Sequence, residues 1–237
     1  MENPTALVTG ASRGIGAEVA RRLAEHGLRV VVTARDADRA VEVARALPGS
    51  GHEGHALDVT VPDTVNAVVD ALDRGGLDVL VNNAAAYVDW AETGLSADLD
   101  AARRVMETNL FGPWLVAQAA VPLLRRSAHP RLVNVSSGGG SHGDEAFGLT
   151  TRSGAAASYG ISKAALLALT STLAAELADS AVLVNAVCPG LTATFEGAEQ
   201  MGARPVAEGA AGIVWAATLP DDGPSGGFFR DGLPLPW

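Results

Sequence analysis

The sequence predicts an α/β chain: one open, parallel, doubly wound sheet of about seven strands flanked by helices. Three observations lead there. Short apolar runs rich in β-branched residues recur without polar alternation, as strands covered on both faces require. Longer stretches of helical periodicity separate them, giving the strand–helix alternation of parallel crossover units. A glycine-rich stretch from Thr9 to Gly16 lies between the first run and the first helical stretch.

Taken in order, Ala6-Leu7-Val8 is the first strand. Ile15, Val19 and Leu23 then share one helix face, and Gly27 is the stop. Val30-Val31-Val32 is the second strand, and Gly54-His55-Ala56-Leu57 is a weaker third. Val61, Val65, Val68 and Leu72 again have helical spacing, before the strand Val79-Leu80-Val81. An Ala/Leu-rich helix over 109–125 leads to Leu132-Val133-Asn134-Val135, and another over 159–178 leads to Val182-Leu183-Val184. Gly227-Phe228-Phe229 is the last strand candidate. Right-handed crossovers place every strand C-terminus, and any ligand, along one edge.

The 237 residues, 48% of them hydrophobic, suffice for one sizeable core. No charge block, Ser/Pro-rich run or repeat marks a linker, so residues 1–237 read as a single domain. A net charge of −10 argues against nucleic acid or an anionic membrane as a partner. MENPTALVTG lacks the basic and apolar regions of a signal peptide, and no apolar run has the length of a membrane span. Cys188 is the single cysteine, which excludes an intrachain disulfide. A cytoplasmic protein is expected. No His/Cys/Asp group has metal-ligand spacing, so no metal is expected.

The glycine stretch suits a phosphate. Gly10, Gly14 and Gly16 permit a tight turn and close backbone approach, and the following helix N-terminus supplies unpaired N–H groups. The spacing is Gly-x3-Gly-x-Gly, not G-x-G-x-x-G. At the end of the second strand stands Thr33-Ala34-Arg35-Asp36. An acid here would bond a ribose 2′-OH, as for NAD; an arginine would accommodate a 2′-phosphate, as for NADP. Arg35 and Arg39 reach the same region and Arg13 flanks it, which favours NADP(H). Asp36 keeps NAD(H) open as the alternative.

Several motifs together resemble the short-chain dehydrogenase/reductase family over nearly the whole chain. They are Thr9-Gly10-x3-Gly14-x-Gly16, Asp58-Val59, Asn82-Asn83-Ala84-Ala85, Asn109, Ser137, Tyr159-x3-Lys163 and Pro189-Gly190. The Thr33–Asp36 stretch and the ending GGFFRDGLPLPW look most like the carbonyl reductase branch. The resemblance implies a Rossmann fold and a residue-by-residue site. Tyr159 would be the proton donor, Lys163 its activator and ribose ligand, and Ser137 the holder of the substrate oxygen. Asn109 would anchor a water leading to Lys163. Asp58 and Val59 would meet the adenine and Asn82 would help position the cofactor. Ser12, Arg13, Ile15 and Ala84 complete the cofactor cradle, with Pro189, Gly190, Thr192 and Thr194 at the nicotinamide end.

The chemistry needs such a set. Reducing a ketone takes a hydride on carbon and a proton on oxygen; the nicotinamide supplies the first and the protein the second. A tyrosine ordinarily titrates at about 10, and a neighbouring ammonium is expected to lower that. Positions i and i+4 share a helix face, so Tyr159 and Lys163 form a reactive pair.

Two departures stand out. The family's Asn-Asn-Ala-Gly ends here in Ala85, and 22 residues separate Ser137 from Tyr159, more than the family's usual spacing. The insert 138–158 and the segment 191–210 are expected to form the substrate pocket, the second as a short lid. Tyr87, Trp90, Phe147, Phe195 and Trp237 lie in segments that could line it or pack in the core. His142 reads as a solvated loop residue and Cys188 as a small buried hydrophobe.

The leading reading is an NADPH-dependent reductase of an apolar ketone or aldehyde. A second is an NAD-dependent alcohol dehydrogenase on the same fold. A third is an NADP-binding regulatory protein without turnover, a type that lacks the tyrosine or lysine present here. Monomer and homo-oligomer stay open.

Overall fold

The computed structural model describes residues 3–72 and 75–237. In chain order the elements are β1 Thr5–Val8, α1 Gly14–Glu25, β2 Arg29–Ala34, α2 Ala37–Ala46, β3 Glu53–Ala56, α3 Pro62–Leu72 and β4 Val79–Asn82. Then follow α4 Leu99–Met106, α5 Gly112–Leu124, β5 Arg131–Val135, α6 Ala157–Glu176, β6 Leu183–Val187, α7 Val206–Ala217, β7 Phe228–Arg230 and β8 Leu233–Pro234. The sheet order is β3-β2-β1-β4-β5-β6-β7-β8. All pairs are parallel except β7 with β8. This is the doubly wound arrangement expected, with eight strands in place of about seven.

Alternate residues along each strand feed two cores, because successive side chains point to opposite faces. Ala6, Val8, Val30, Val32, Val79 and Val81 pack with α1 and α7 on one side. Leu7, Val31, Leu80 and Leu132 pack with α3, α5 and α6 on the other. All ten are essentially without exposure, each worth roughly 1.5–3 kcal/mol of burial for the larger side chains. The eighth strand is short and antiparallel. It arises from a hairpin at Asp231-Gly232, both at positive φ (55° and 75°), the turn type that Asp-Gly favours.

Helix 109–125 in fact starts earlier. α4 runs into a π-helical turn, Glu107–Phe111, and on into α5. Gly112 N–H reaches back to Glu107 O, an i→i−5 bond. Pro113 follows and has no N–H for the carbonyl of Asn109 four residues back. The α register breaks at the residue expected to matter for chemistry, as such bulges often do.

Strand order reverses between β1 and β4, and in open parallel sheets that switch point opens a crevice beyond the strand C-termini. The loops after β1, β4, β5 and β6 all emerge there. No described helix is long and apolar enough to cross a membrane.

Candidate active site

The loops after β1 and β4 are sewn into one unit. Thr9 Oγ1 accepts the N–H groups of Asn83 and Ala84 at 3.0 and 3.1 Å. Asn83 Nδ2 donates to the carbonyls of Thr9 and Gly10. Gly10 has φ +64°, and a Cβ there would stand 2.8 Å from Ala84 Cα; one on Gly16 would stand 2.4 Å from Asn83 Nδ2. Only glycine fits either place. α1 begins after Arg13 with no side-chain cap and no acid in its first turn. Its leading N–H groups are thus left for an anion, beside the half-buried Ser12 and Ile15. This cradle fits the pyrophosphate of a dinucleotide.

At the far end of the crevice, Asp36 is already engaged. Its Oδ1 caps α2 by accepting the N–H groups of Asp38 and Arg39 at 3.0 and 3.3 Å. Arg39 is turned along the helix to Glu42, Nη1 to Oε2 2.5 Å. Arg35 is exposed and its charge reaches Asp58. Hydrogen bonds from the Thr60 N–H and hydroxyl, with Arg35 adding, hold the Asp58 carboxyl below its usual value. Val59 is buried against Gly112 at the start of α5.

Asn82 faces the core. Its Nδ2 donates to Pro113 O and Asn134 Oδ1 at 3.3 and 3.0 Å, and Oδ1 is buried without a partner among the described residues. Asn109 clamps the loop after β4: its Oδ1 accepts Ala86 N–H at 2.7 Å, and Nδ2 donates to Ala86 O and Ser162 Oγ, both 3.0 Å. Ser162 Oγ in turn donates to Tyr159 O at 2.7 Å.

Ser137, Tyr159 and Lys163 converge. Ser137 follows β5 and accepts Gly139 N–H at 3.1 Å, opening a 3-10 turn over Gly138–Gly140. A Cβ on Gly139 would touch both Ser137 Oγ, at 3.3 Å, and the Tyr159 ring, at 3.9 Å. Burial pushes the Tyr159 phenol above its ordinary value, Tyr87 adds to that, and hydrogen bonding with Ser137 opposes it. The lowering expected from Lys163 is absent from this balance. The reason is geometric: Lys163 Nζ donates to Val135 O at 2.8 Å and lies 5.8 Å from the Tyr159 ring centroid. Lys163 is itself buried, and burial brings its amine down to about 8, with Cys188 opposing.

The insert after Ser137 is pinned to the C-terminus. Asp144 pairs with Arg230; Ser141 Oγ donates to Pro236 O at 2.6 Å, and Gly143 N–H to Trp237 O at 3.0 Å. The guanidinium groups of Arg152 and Arg230 each stand 5.7 Å from the Phe147 ring. Buried Cys188 does more than fill space, since Sγ accepts from Gly138 N, Gly190 N and Arg230. His142 is exposed.

Beyond Pro189 the chain folds back on itself. Thr192 is buried, donating within the turn to Pro189 O and Gly190 O. Arg204 Nε donates to Pro189 O at 2.7 Å. Thr194 is the residue that reaches the glycine loop, 3.5 Å from a Cβ built on Gly14. The segment 191–210 is irregular only as far as Pro205, because Val206 already begins α7, which packs on the sheet.

A model of the short chain dehydrogenase family matches residues 4–203. The chain belongs to the short-chain dehydrogenase/reductase family. Salutaridine reductase of Papaver bracteatum is 32% identical, over 94% of this chain and 93% of that protein. A putative ketoacyl reductase of Streptomyces coelicolor is 38% identical, over 81% of this chain and 72% of that protein. Among solved structures, NADPH-bound carbonyl reductase from chicken fatty liver superposes with a TM-score of 0.84 at 27% identity, the whole of both chains being covered.

As a short-chain dehydrogenase/reductase the protein is an oxidoreductase of carbonyl and alcohol groups, in a family that binds nicotinamide cofactors. Three side chains of this site escaped the sequence reading. Glu92, Asp144 and Arg230 each act through partners 66 to 86 residues away, and no local pattern announces such a pairing.

Proposed function

We propose that this short-chain dehydrogenase/reductase is an NADPH-dependent reductase of an apolar ketone or aldehyde, with Tyr159 delivering the proton. The observation that carries the reading is the convergence of a neutral phenol, a serine hydroxyl and a buried amine at one strand edge. The nicotinamide, when bound, supplies hydride to the carbonyl carbon. Ser137 Oγ accepts from Gly139 N–H and hydrogen-bonds with the Tyr159 phenol, so a substrate oxygen held between the two would meet the serine hydroxyl as a donor. A donor aimed there stabilises the charge that develops on it. Burial keeps Tyr159 protonated, which suits a group that must give a proton to that oxygen. The C–H and O–H bonds formed leave an alcohol and a tyrosinate. Lys163, whose amine donates to Val135 O in this structure, would hold the ribose of a bound cofactor, and in its charged form would favour the tyrosinate. The insert 138–158 and the segment 191–205 wall the pocket.

The choice of NADPH rests on Asp36 and Arg35. Asp36 is committed to capping α2, whereas Arg13 and Arg35 make no ion pair among the described residues and suit a 2′-phosphate. The Arg35→Ala variant should bind NADPH about tenfold or more weaker, the scale of a lost charged hydrogen bond, and NADH unchanged. Calorimetric titration with both cofactors checks this. Equal losses, or tighter NADH binding by the unmodified protein, would favour the NAD-dependent alcohol dehydrogenase instead.

A further inference from the structure

We propose that residues 85–98 form an aromatic strap that sets substrate class: Tyr87 and Trp90 select a flat, uncharged aromatic ketone by stacking on it beside Tyr159. The proposal rests on the reductase reading and names its substrate.

The strap is irregular yet fastened at two points. At one end both backbone polar groups of Ala86 are held by the Asn109 side chain. At the other, Glu92 Oε1 accepts Ser158 N–H at 2.8 Å and the Ser158 hydroxyl. That second fastening answers a local need. α6 follows Ala156, whose backbone is left-handed (φ 54°), and it has no side-chain cap of its own. Its first N–H groups need an acceptor, and a carboxylate is the favoured one at a helix N-terminus. Glu92 supplies it from another part of the chain. Ser158 directly precedes Tyr159, so the latch fixes the strap to the reacting residue's own turn.

Between the fastenings, the two rings meet Tyr159. Tyr87 stacks on it at 5.5 Å and 19°, Trp90 meets it edge-on at 5.4 Å and 68°, and the two strap rings are 5.9 Å apart. Both rings nevertheless stay open to solvent, 59% and 47% exposed. Large aromatic surface left in water, continuous with a reacting phenol, is the mark of a binding wall. An aliphatic wall would hold any apolar group, whereas aromatic rings favour another aromatic ring through their quadrupoles. The strap also carries Asp89, Glu92 and Asp98, which disfavours an anionic substrate.

The test compares acetophenone with cyclohexyl methyl ketone, matched in size and differing in ring planarity. Affinity for both is measured by calorimetry on the NADP+ complex, where neither can be reduced, and turnover is followed separately with NADPH. The unmodified protein should prefer acetophenone. Tyr87→Ala and Trp90→Ala should each shrink that preference about three- to tenfold, the scale of an aromatic pair, with NADP+ affinity unchanged. Tyr87→Phe and Trp90→Phe should keep it. Glu92→Ala should lose it as the ring deletions do, and Glu92→Gln, which retains the acceptor, should restore it. No preference in the unmodified protein, or one that survives both ring deletions, overturns the proposal. A preference that behaves as expected without any turnover would sustain the strap and sink the reductase reading.

Discussion

Lys163 is where burial and chemistry pull against each other. Its amine donates to Val135 O and sits at about 8 in the folded chain against an ordinary 10.5. Below pH 8 both folded and unfolded chains carry the proton, and the folded state bears the full penalty of a buried charge. Between 8 and 10.5 the unfolded chain binds more protons, so stability contributed by this group rises with pH. Comparing unmodified protein with Lys163→Met by urea unfolding should show the difference moving in favour of the lysine by roughly 2–3 kcal/mol from pH 7.5 to 10. A flat difference would mean the amine is solvated. Tyr159 is buried to the opposite end: its neutral form is favoured, and that is the form the proposed proton transfer requires. The Tyr159–Lys163 spacing was legible because i and i+4 must share a helix face. The hydrogen bond of Lys163 to Val135 was not, since it joins a helix to a neighbouring strand end.

The insert 138–158 shows how an irregular element is fixed by a few polar ties. Asp144 is almost fully buried. Burial pushes its carboxyl up, but hydrogen bonds from Phe147 N–H, Arg230 and Ala146 N–H together outweigh that and leave it below the ordinary value. Its stabilisation is therefore present above the ordinary carboxylate range and lost as pH falls through the folded value. Asp144→Asn leaves the Arg230 guanidinium facing Cys188 without a countercharge, and should cost about 3 kcal/mol at neutral pH, the scale of a broken buried pair. Thermal unfolding checks this. The gap between the two proteins should close on acidification; a gap that stays constant would contradict the ion-pair account. At this scale the sequence was read unevenly. α6 was read from its Ala/Leu-rich composition, and α1 and α3 carried clear periodicity. α7 did not, because a helix buried on most sides has no polar face to reveal its period. β8 was announced only by Asp231-Gly232, a hairpin signal that went unread. The π turn before Pro113 needed the proline's missing N–H to be set against Asn109's carbonyl.

The whole molecule turns one long chain into a single reactive edge. Strand order reverses between β1 and β4, so the glycine cradle after β1 and the strap after β4 share one crevice, with Ser137 after β5 and Thr194 after β6 beside them. The alternation of apolar runs and helical stretches was enough to foresee that architecture, because parallel strands buried on both faces leave an unmistakable pattern. Ligand class was less legible: ring contacts among Tyr87, Trp90 and Tyr159 join positions that no periodicity connects. The central claim is that this edge transfers a proton from Tyr159 to a ketone oxygen. The most direct test follows NADPH absorbance with a panel of ketones and aldehydes, using the unmodified protein and Tyr159→Phe. The account predicts turnover that falls by about 10²–10⁴-fold in the variant, the scale of a lost general acid, with NADPH binding retained. Equal turnover by both proteins would contradict it.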